Sequence, residues 1–177
     1  MPVLSGGDKL QAALASIASN LKGRGTLRVG FLENAQYPDG TSVALVASLQ
    51  EFGAPRAGIP PRPFFRTMIT KESAGWPSLI SSQLKKTNYD MPLTLGRVGE
   101  VIKGQLQTSI RDLTDPPLSP VTLMVRQIVG PNGRATLADV LEARRRVKAG
   151  QSAQGVSTHP LIWTGTLLNS VGVEVET

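Results

Sequence analysis

One histidine, no cysteine and singly scattered acids set narrow limits on the chemistry this sequence can perform. Without Cys there is no thiolate nucleophile, no disulfide, no thiolate zinc site and no iron–sulfur cluster. His159 is the only imidazole, and it sits directly before Pro160. A Ser–His–Asp triad is arithmetically possible, but no G-x-S-x-G elbow surrounds any serine. His159 therefore reads as a loop or hydrogen-bonding residue. A metal would have only carboxylates and carbonyls to hold it, and no D-x-D-x-D-G loop is present. Gly96-x-x-Gly99 falls inside a helical pattern and reads as packing, not as a phosphate loop. The expectation is a protein that is not an enzyme, with no catalytic, metal or cofactor site.

The most polar feature is the run Arg144-Arg145-Arg146-x-Lys148. It could contact phosphates or an acidic protein surface. It also fits an ordinary helix end, where cations meet the negative pole of the macrodipole. No aromatic residues interleave to stack on bases, so a helix end or a protein contact is favoured. The 177 residues carry 19 Lys and Arg against 13 Asp and Glu, a formal charge of +6. That balance permits contact with nucleic acid or an acidic surface and proves neither. No secretory signal is visible, and no stretch approaches the roughly 18 apolar residues of a membrane span. No membrane partner is expected, and a cytosol-like compartment is.

The elements that must position these groups follow from periodicity. Leu10, Leu14, Ile17 and Leu21 form one face of a helix over 7–22, ended by Gly23 and Gly25. Residues 26–33 alternate as a strand with Leu27, Val29 and Phe31 on one face. A turn at 37–40 leads to a helix over 42–52, capped by Ser42 and stopped by Gly53. Val43, Val46, Ala47 and Leu49 would face inward. Residues 53–63 hold too many Pro and Gly for a regular element. Order resumes at 64–70, with a helix at 77–86. The longest helix is expected at 92–113, with Leu95, Val98, Ile102, Leu106, Ile110 and Leu113 as its stripe. Gly96, Gly99 and Gly104 each weaken it by about 1 kcal/mol relative to Ala, which points to the close approach of another backbone. After Asp115-Pro116-Pro117, helices are expected at 120–129 and 136–148, the second with a Thr136/Asp139 capping box. A polar connector at 151–157, a turn at Thr164-Gly165, a short helix at 167–170 and a strand at 171–176 complete the chain. Residues 130–157 read as an inserted arm. Its helix has only Leu137, Val140, Leu141 and Val147 as an apolar face.

Aromatics are 5% of the residues, so aliphatic side chains must build the core. Two of the few aromatics, Phe64 and Phe65, lie between Arg62 and Arg66. Pro55, Pro60, Pro61 and Pro63 stiffen the preceding loop. Alternation along an extended entry would place one Phe in the core and turn Arg62 towards a neighbouring subunit.

Gln50-Glu51-Phe52-Gly53 followed by Gly58-Ile59-Pro60-Pro61-Arg62-Pro63-Phe64-Phe65-Arg66 resembles the "EFG…IPPRPFLR" signature of tailed-bacteriophage neck, head–tail joining and tail-completion proteins, the virion morphogenesis group. Residues 117–122 (PLSPVT) and 160–171 (PLIWTGTLLNSV) look like that family's "PLSP.T" and "PLIDTGxLLNSI" blocks, in the same order. Trp163 stands where the last block usually has Asp. The resemblance covers roughly 42–70 and 92–176. It implies an α+β fold, with a small antiparallel sheet packed on a long helix, Pro/Gly-rich loops and a helical excursion. Residues 1–177 would then be one neck-protein domain.

The resemblance also implies a structural protein. It would form a six- or twelve-fold homo-oligomeric ring in the virion neck, made in the host bacterial cytoplasm, between portal or connector proteins and the tail. The genome would pass through the channel without sequence-specific binding. Its motif or assembly residues here would be Gly58, Pro60, Pro61, Arg62, Phe64, Phe65, Arg66, Trp163, Thr164, Gly165 and Leu168. Arg144, Arg145, Arg146 and Lys148 would form a basic contact patch. The competing expectation is a small basic DNA-binding protein that is not part of a ring.

Overall fold

The structure, a computed structural model, describes residues 7–20, 25–32, 34–131 and 133–176. Leu21, Gly23 and Glu33, part of the expected first helix and strand, lie outside them.

The spine is helix α5, Met91–Asp112, numbered with α1 (Gly7–Asn20), β1 (Thr26–Phe31), α2 (Val43–Phe52), α3 (Phe64–Glu72) and α4 (Trp76–Lys86) before it. Asp90 caps α5, its carboxylate accepting from Leu93 N at 2.9 Å, and Pro92 occupies the first turn. Thr94, Val98, Ile102, Leu106 and Ile110 recur every four residues and are all buried. This face meets α3, α4 and a two-stranded sheet. The sheet pairs β1 antiparallel with β2 (Val171–Glu176), with Val29 opposite Val173. Phe64, Met68, Val43, Ala47, Leu161, Leu167 and Val171 close the same core. The fold is therefore α+β, a small antiparallel sheet on a long helix, with helices predominating.

The glycines of α5 separate into two kinds. A Cβ on Gly99 would run into Val173 Cγ1 and lie 2.8 Å from Leu27 Cδ1, whereas Gly96 and Gly104 have nothing within 4 Å. The close approach expected from sequence thus occurs at Gly99 alone, and it is made by strand side chains and not by backbone. Gly99 lets the sheet settle onto the helix.

Helices α6 (Pro120–Val129) and α7 (Leu137–Lys148) pack on each other, with Met124 and Ala143 buried between them. The 130–157 segment thus lies against α6. Thr136 and Asp139 make the expected capping box. The expected apolar face of α7 divides: Val140 and Val147 lie partly covered beside Ala143, while Leu137 and Leu141 are exposed. Small Ala143 sits on the covered side and permits close helix contact. On α2 the inward face expected from sequence is Val43, Val46, Ala47 and Leu49; the buried residues are Val43, Ala47 and Glu51, with Val46 partly covered and Leu49 exposed, because burial follows a spacing of four.

Replacing Gly by Ala inside a helix ordinarily stabilises by up to about 1 kcal/mol. Gly104→Ala should do so and raise the melting temperature by about 2–3 °C. Gly99→Ala should lower it instead, because the new methyl overlaps Val173 and Leu27. Thermal unfolding of the two variants beside the parent chain checks both signs.

Candidate functional site

Glu51 lies on the inward face of α2, which buries a carboxylate at 5% exposure. A buried carboxylate must be paired. Glu51 Oε2 accepts from Phe65 N at 2.9 Å, and Oε1 accepts from Arg66 N at 3.2 Å. These are donors of the first turn of α3, whose own N-cap residue, Pro63, supplies no side-chain bond. Glu51 is thus a cap delivered from another helix, with its charge at the positive end of the α3 dipole. Arg66 Nε adds a 2.7 Å ion pair to Oε1, and Arg66 Nη2 bonds the Glu51 carbonyl at 3.1 Å. The Arg66 guanidinium also lies 5.0 Å from the centre of the Phe52 ring.

The loop between the two helices closes on itself. Ala54 and Ile59 exchange backbone hydrogen bonds, Ala54 N to Ile59 O at 2.8 Å and the return at 3.1 Å. Gly58 turns this loop with φ of 68°. Gly53 has φ of 76°, and a Cβ there would lie 2.8 Å from Pro61 N and 2.9 Å from Ile59 O. Only glycine fits that approach. Pro60 and Pro61 are exposed on the rim.

Arg62 departs from expectation. It is buried at 4% exposure, and its side chain is used within the subunit. Nη1 donates to Gln50 Oε1 at 2.9 Å and Nε to Pro116 O at 3.3 Å. The cause is local. Pro63 has φ −77° and ψ 63°, and Phe64 N bonds Arg62 O at 2.8 Å. That is an inverse γ-turn and not an extended entry. Alternation fails there, and Arg62 and Phe64 both turn inward. Phe64 is core at 1% exposure, edge-on to Phe31 and Phe65, with its carbonyl taken by Ser109 Oγ at 2.6 Å. Phe65 is half-buried.

The C-terminal block meets this loop through Arg126 of α6. Arg126 Nη1 reaches Ser157 O at 2.7 Å and His159 O at 3.0 Å, and Nη2 reaches Pro160 O at 3.2 Å. Trp163 is half-buried, its ring centre 5.6 Å from the Arg126 guanidinium carbon. Burial, and then the neighbouring Arg62 charge, hold Arg126 below the usual arginine range. Thr164 and Gly165 form the turn into α8 (Thr166–Asn169), with Gly165 at φ 79° and Thr166 N bonding Thr164 Oγ1 at 3.2 Å. Leu168 packs against the core, and its carbonyl accepts from Gln107 Nε2 at 3.2 Å. The three sequence blocks therefore converge on one groove, of about 960 Å³, lined by Pro60, Pro61, Pro117, Pro160, Trp163 and both buried arginines.

The basic run does not join this groove. Glu142 takes Arg145 Nε at 2.8 Å and Arg146 Nε at 2.7 Å, and those bonds hold its carboxyl down at about 2. Arg144 and Lys148 are exposed, with no ion pair among the described residues. His159 is exposed, and only its carbonyl is used by Arg126. Among the described residues no cluster of His, Asp and Glu is placed to hold a metal ion, and no helix is long and apolar enough to cross a membrane.

No family model, curated protein or solved structure matches the chain. Sequence reasoning missed Glu51, Gln50 and Arg126 as site residues. Glu51 had a readable signal: it stands eight residues after Val43 and four after Ala47, on the same helix face at 43, 47 and 51. Arg126 had none, because its partners are carbonyls some thirty residues away.

Glu51→Ala leaves two helix N–H groups and Arg66 without their acceptor. It should destabilise the subunit by about 2–4 kcal/mol. Glu51→Gln keeps one acceptor oxygen and should cost about half as much. Urea unfolding of both variants, compared at constant slope, measures the difference.

Proposed function

We propose that this chain is a non-enzymatic structural protein of a tailed-phage virion that assembles as a cyclic homo-oligomer in the neck. One observation carries the reading. Among the described residues, two apolar stripes on different helices stand largely open to solvent. Leu45, Leu49 and Phe52 of α2 are 55%, 38% and 63% exposed, and Leu10 and Leu14 of α1 are 63% and 57% exposed. No other described element packs along α1. Surface stripes of this kind mark contact sites. Two different ones on one subunit suit a heterologous contact, in which one surface meets another on the next copy and the rotation closes a ring.

The motif resemblance supports the same reading and supplies its place. The ring would stand between portal or connector proteins and the tail, with the genome passing through its channel. Arg145 and Arg146 share one carboxylate, Glu142, which offsets one of the positive charges of the basic run and weakens it as a phosphate site.

Native mass spectrometry of the purified chain should find a closed assembly of six or twelve subunits. Leu45→Glu with Leu49→Glu should abolish it. Both positions are solvent-facing, so the subunit's melting temperature should move by no more than about 2 °C. A chain that stays monomeric at about 100 μM, far above the Kd of any stable ring, contradicts the reading.

A further inference from the structure

We infer that the groove between the 58–62 loop and the start of α6 is a docking site for an extended segment of a partner protein, and that the segment presents an Asp or Glu carboxylate to Arg62 and Arg126. The inference concerns a site within one subunit and stands whether or not the chain forms a ring.

The argument starts from charge. Arg62 and Arg126 are buried at 4% and 7% exposure. Neither has a carboxylate within 4.0 Å among the described residues. All their hydrogen bonds go to neutral acceptors: Gln50 Oε1 and the carbonyls of residues 116, 157, 159, 160 and 162. Glu51, the buried acid nearby in sequence, is already committed to α3 and Arg66. Two buried cations without an anion are unusual, because buried charges are ordinarily paired. Their donors are not exhausted. Arg62 Nη2 and Arg126 Nε make no hydrogen bond, and no buried side-chain nitrogen is left unsatisfied, so both retain access to solvent. A free N–H on a guanidinium is a charge-assisted donor that a carboxylate oxygen accepts more strongly than a neutral oxygen does.

The walls select what carries that carboxylate. Pro60, Pro61, Pro117, Pro120, Pro160 and Trp163 line the groove. Prolines present ring faces and carbonyls but no N–H. Such a surface suits an apolar, extended segment that packs on the Trp163 ring, since aromatic-lined grooves take extended peptides. The geometry argues against a nucleic-acid backbone. The cations are recessed, and among the described residues no exposed Lys or Arg that could follow successive phosphates lines the groove.

The test is selection of a random heptapeptide library on the full-length protein, with a groove variant as control. Thr122 is exposed on the groove wall at the third position of α6, after Ser119 as N-cap. Thr122→Glu completes a capping box, so the helix is retained, while the groove acquires a carboxylate of its own. The selected peptides should contain Asp or Glu. Their affinity should fall at least tenfold when that acid becomes Asn or Gln, and at least tenfold again on the Thr122→Glu protein. Arg62→Lys, with folding checked by circular dichroism, should weaken the same peptides. Selection of no peptide, or of peptides indifferent to their acid or to Thr122→Glu, overturns the inference. So does displacement of the peptides by a dT oligonucleotide at equal concentration, which would make the groove a phosphate site.

Discussion

Glu51 places a carboxylate from the end of one helix against the first turn of another, and the order of everything between them depends on it. Helix α3 starts at Phe64 without a capping side chain of its own. Its first donors would face a buried junction unsatisfied. Glu51 takes Phe65 N and Arg66 N, Arg62 O takes Phe64 N, and Pro63 O takes Thr67 N. With those bonds made, Phe64 and Met68 enter the core at 1% and 3% exposure and α3 lies against α5. The loop 53–63 then has both ends fixed, and Gly53 is the one residue type that the approach of Pro61 allows. The Pro-rich segment is rigid because of this enclosure as much as because of its prolines.

The same region handles charge in two opposite ways. Glu51 and Arg66 form an ion pair whose cation reaches solvent, with side-chain exposures of 7% and 57%. Arg62 and Arg126 are instead held by neutral oxygens alone. Those oxygens belong to segments distant in sequence, so each arginine ties two parts of the chain together. Arg62 joins the loop to the 116–120 turn, and Arg126 joins α6 to the 157–162 turn. Leu161, at 6% exposure, fixes that turn in the core. The α6–α7 pair is thereby attached to the body by an arginine and a plug, while its own interior is Met124 and Ala143. The solvent-facing groove wall and the buried core are built from adjacent residues of the same motifs.

Much of this was legible in the residues. The α5 stripe from Val98 to Ile110, the caps Ser42 and Thr136, the two strands and one core Phe of the Phe64–Phe65 pair all follow from period, cap chemistry and turn residues. These are local signals, set within one or two turns. What failed is what depends on geometry between segments. Arg62 was expected outward because alternation assumes an extended chain, and one γ-turn at Pro63 reverses it. Leu49 was expected inward on hydrophobicity, but the face that packs carries Glu51, because a capping carboxylate outranks an aliphatic contact there. Gly96, Gly99 and Gly104 look alike in sequence, and only the sheet's position separates them. The groove could not be read at all before three blocks, spread over more than a hundred residues, came together.

The claim that Glu51 organises the motif is tested most directly by native-state amide exchange. A donor bonded to a buried carboxylate exchanges only when the surrounding structure opens. The Phe65 and Arg66 amides should exchange as slowly as those of Ile102 and Leu106 in the middle of α5. They should speed up selectively in Glu51→Gln while the α5 amides hold their protection. Exchange of Phe65 and Arg66 in the parent chain as fast as that of exposed amides, with α5 still protected, would contradict the account.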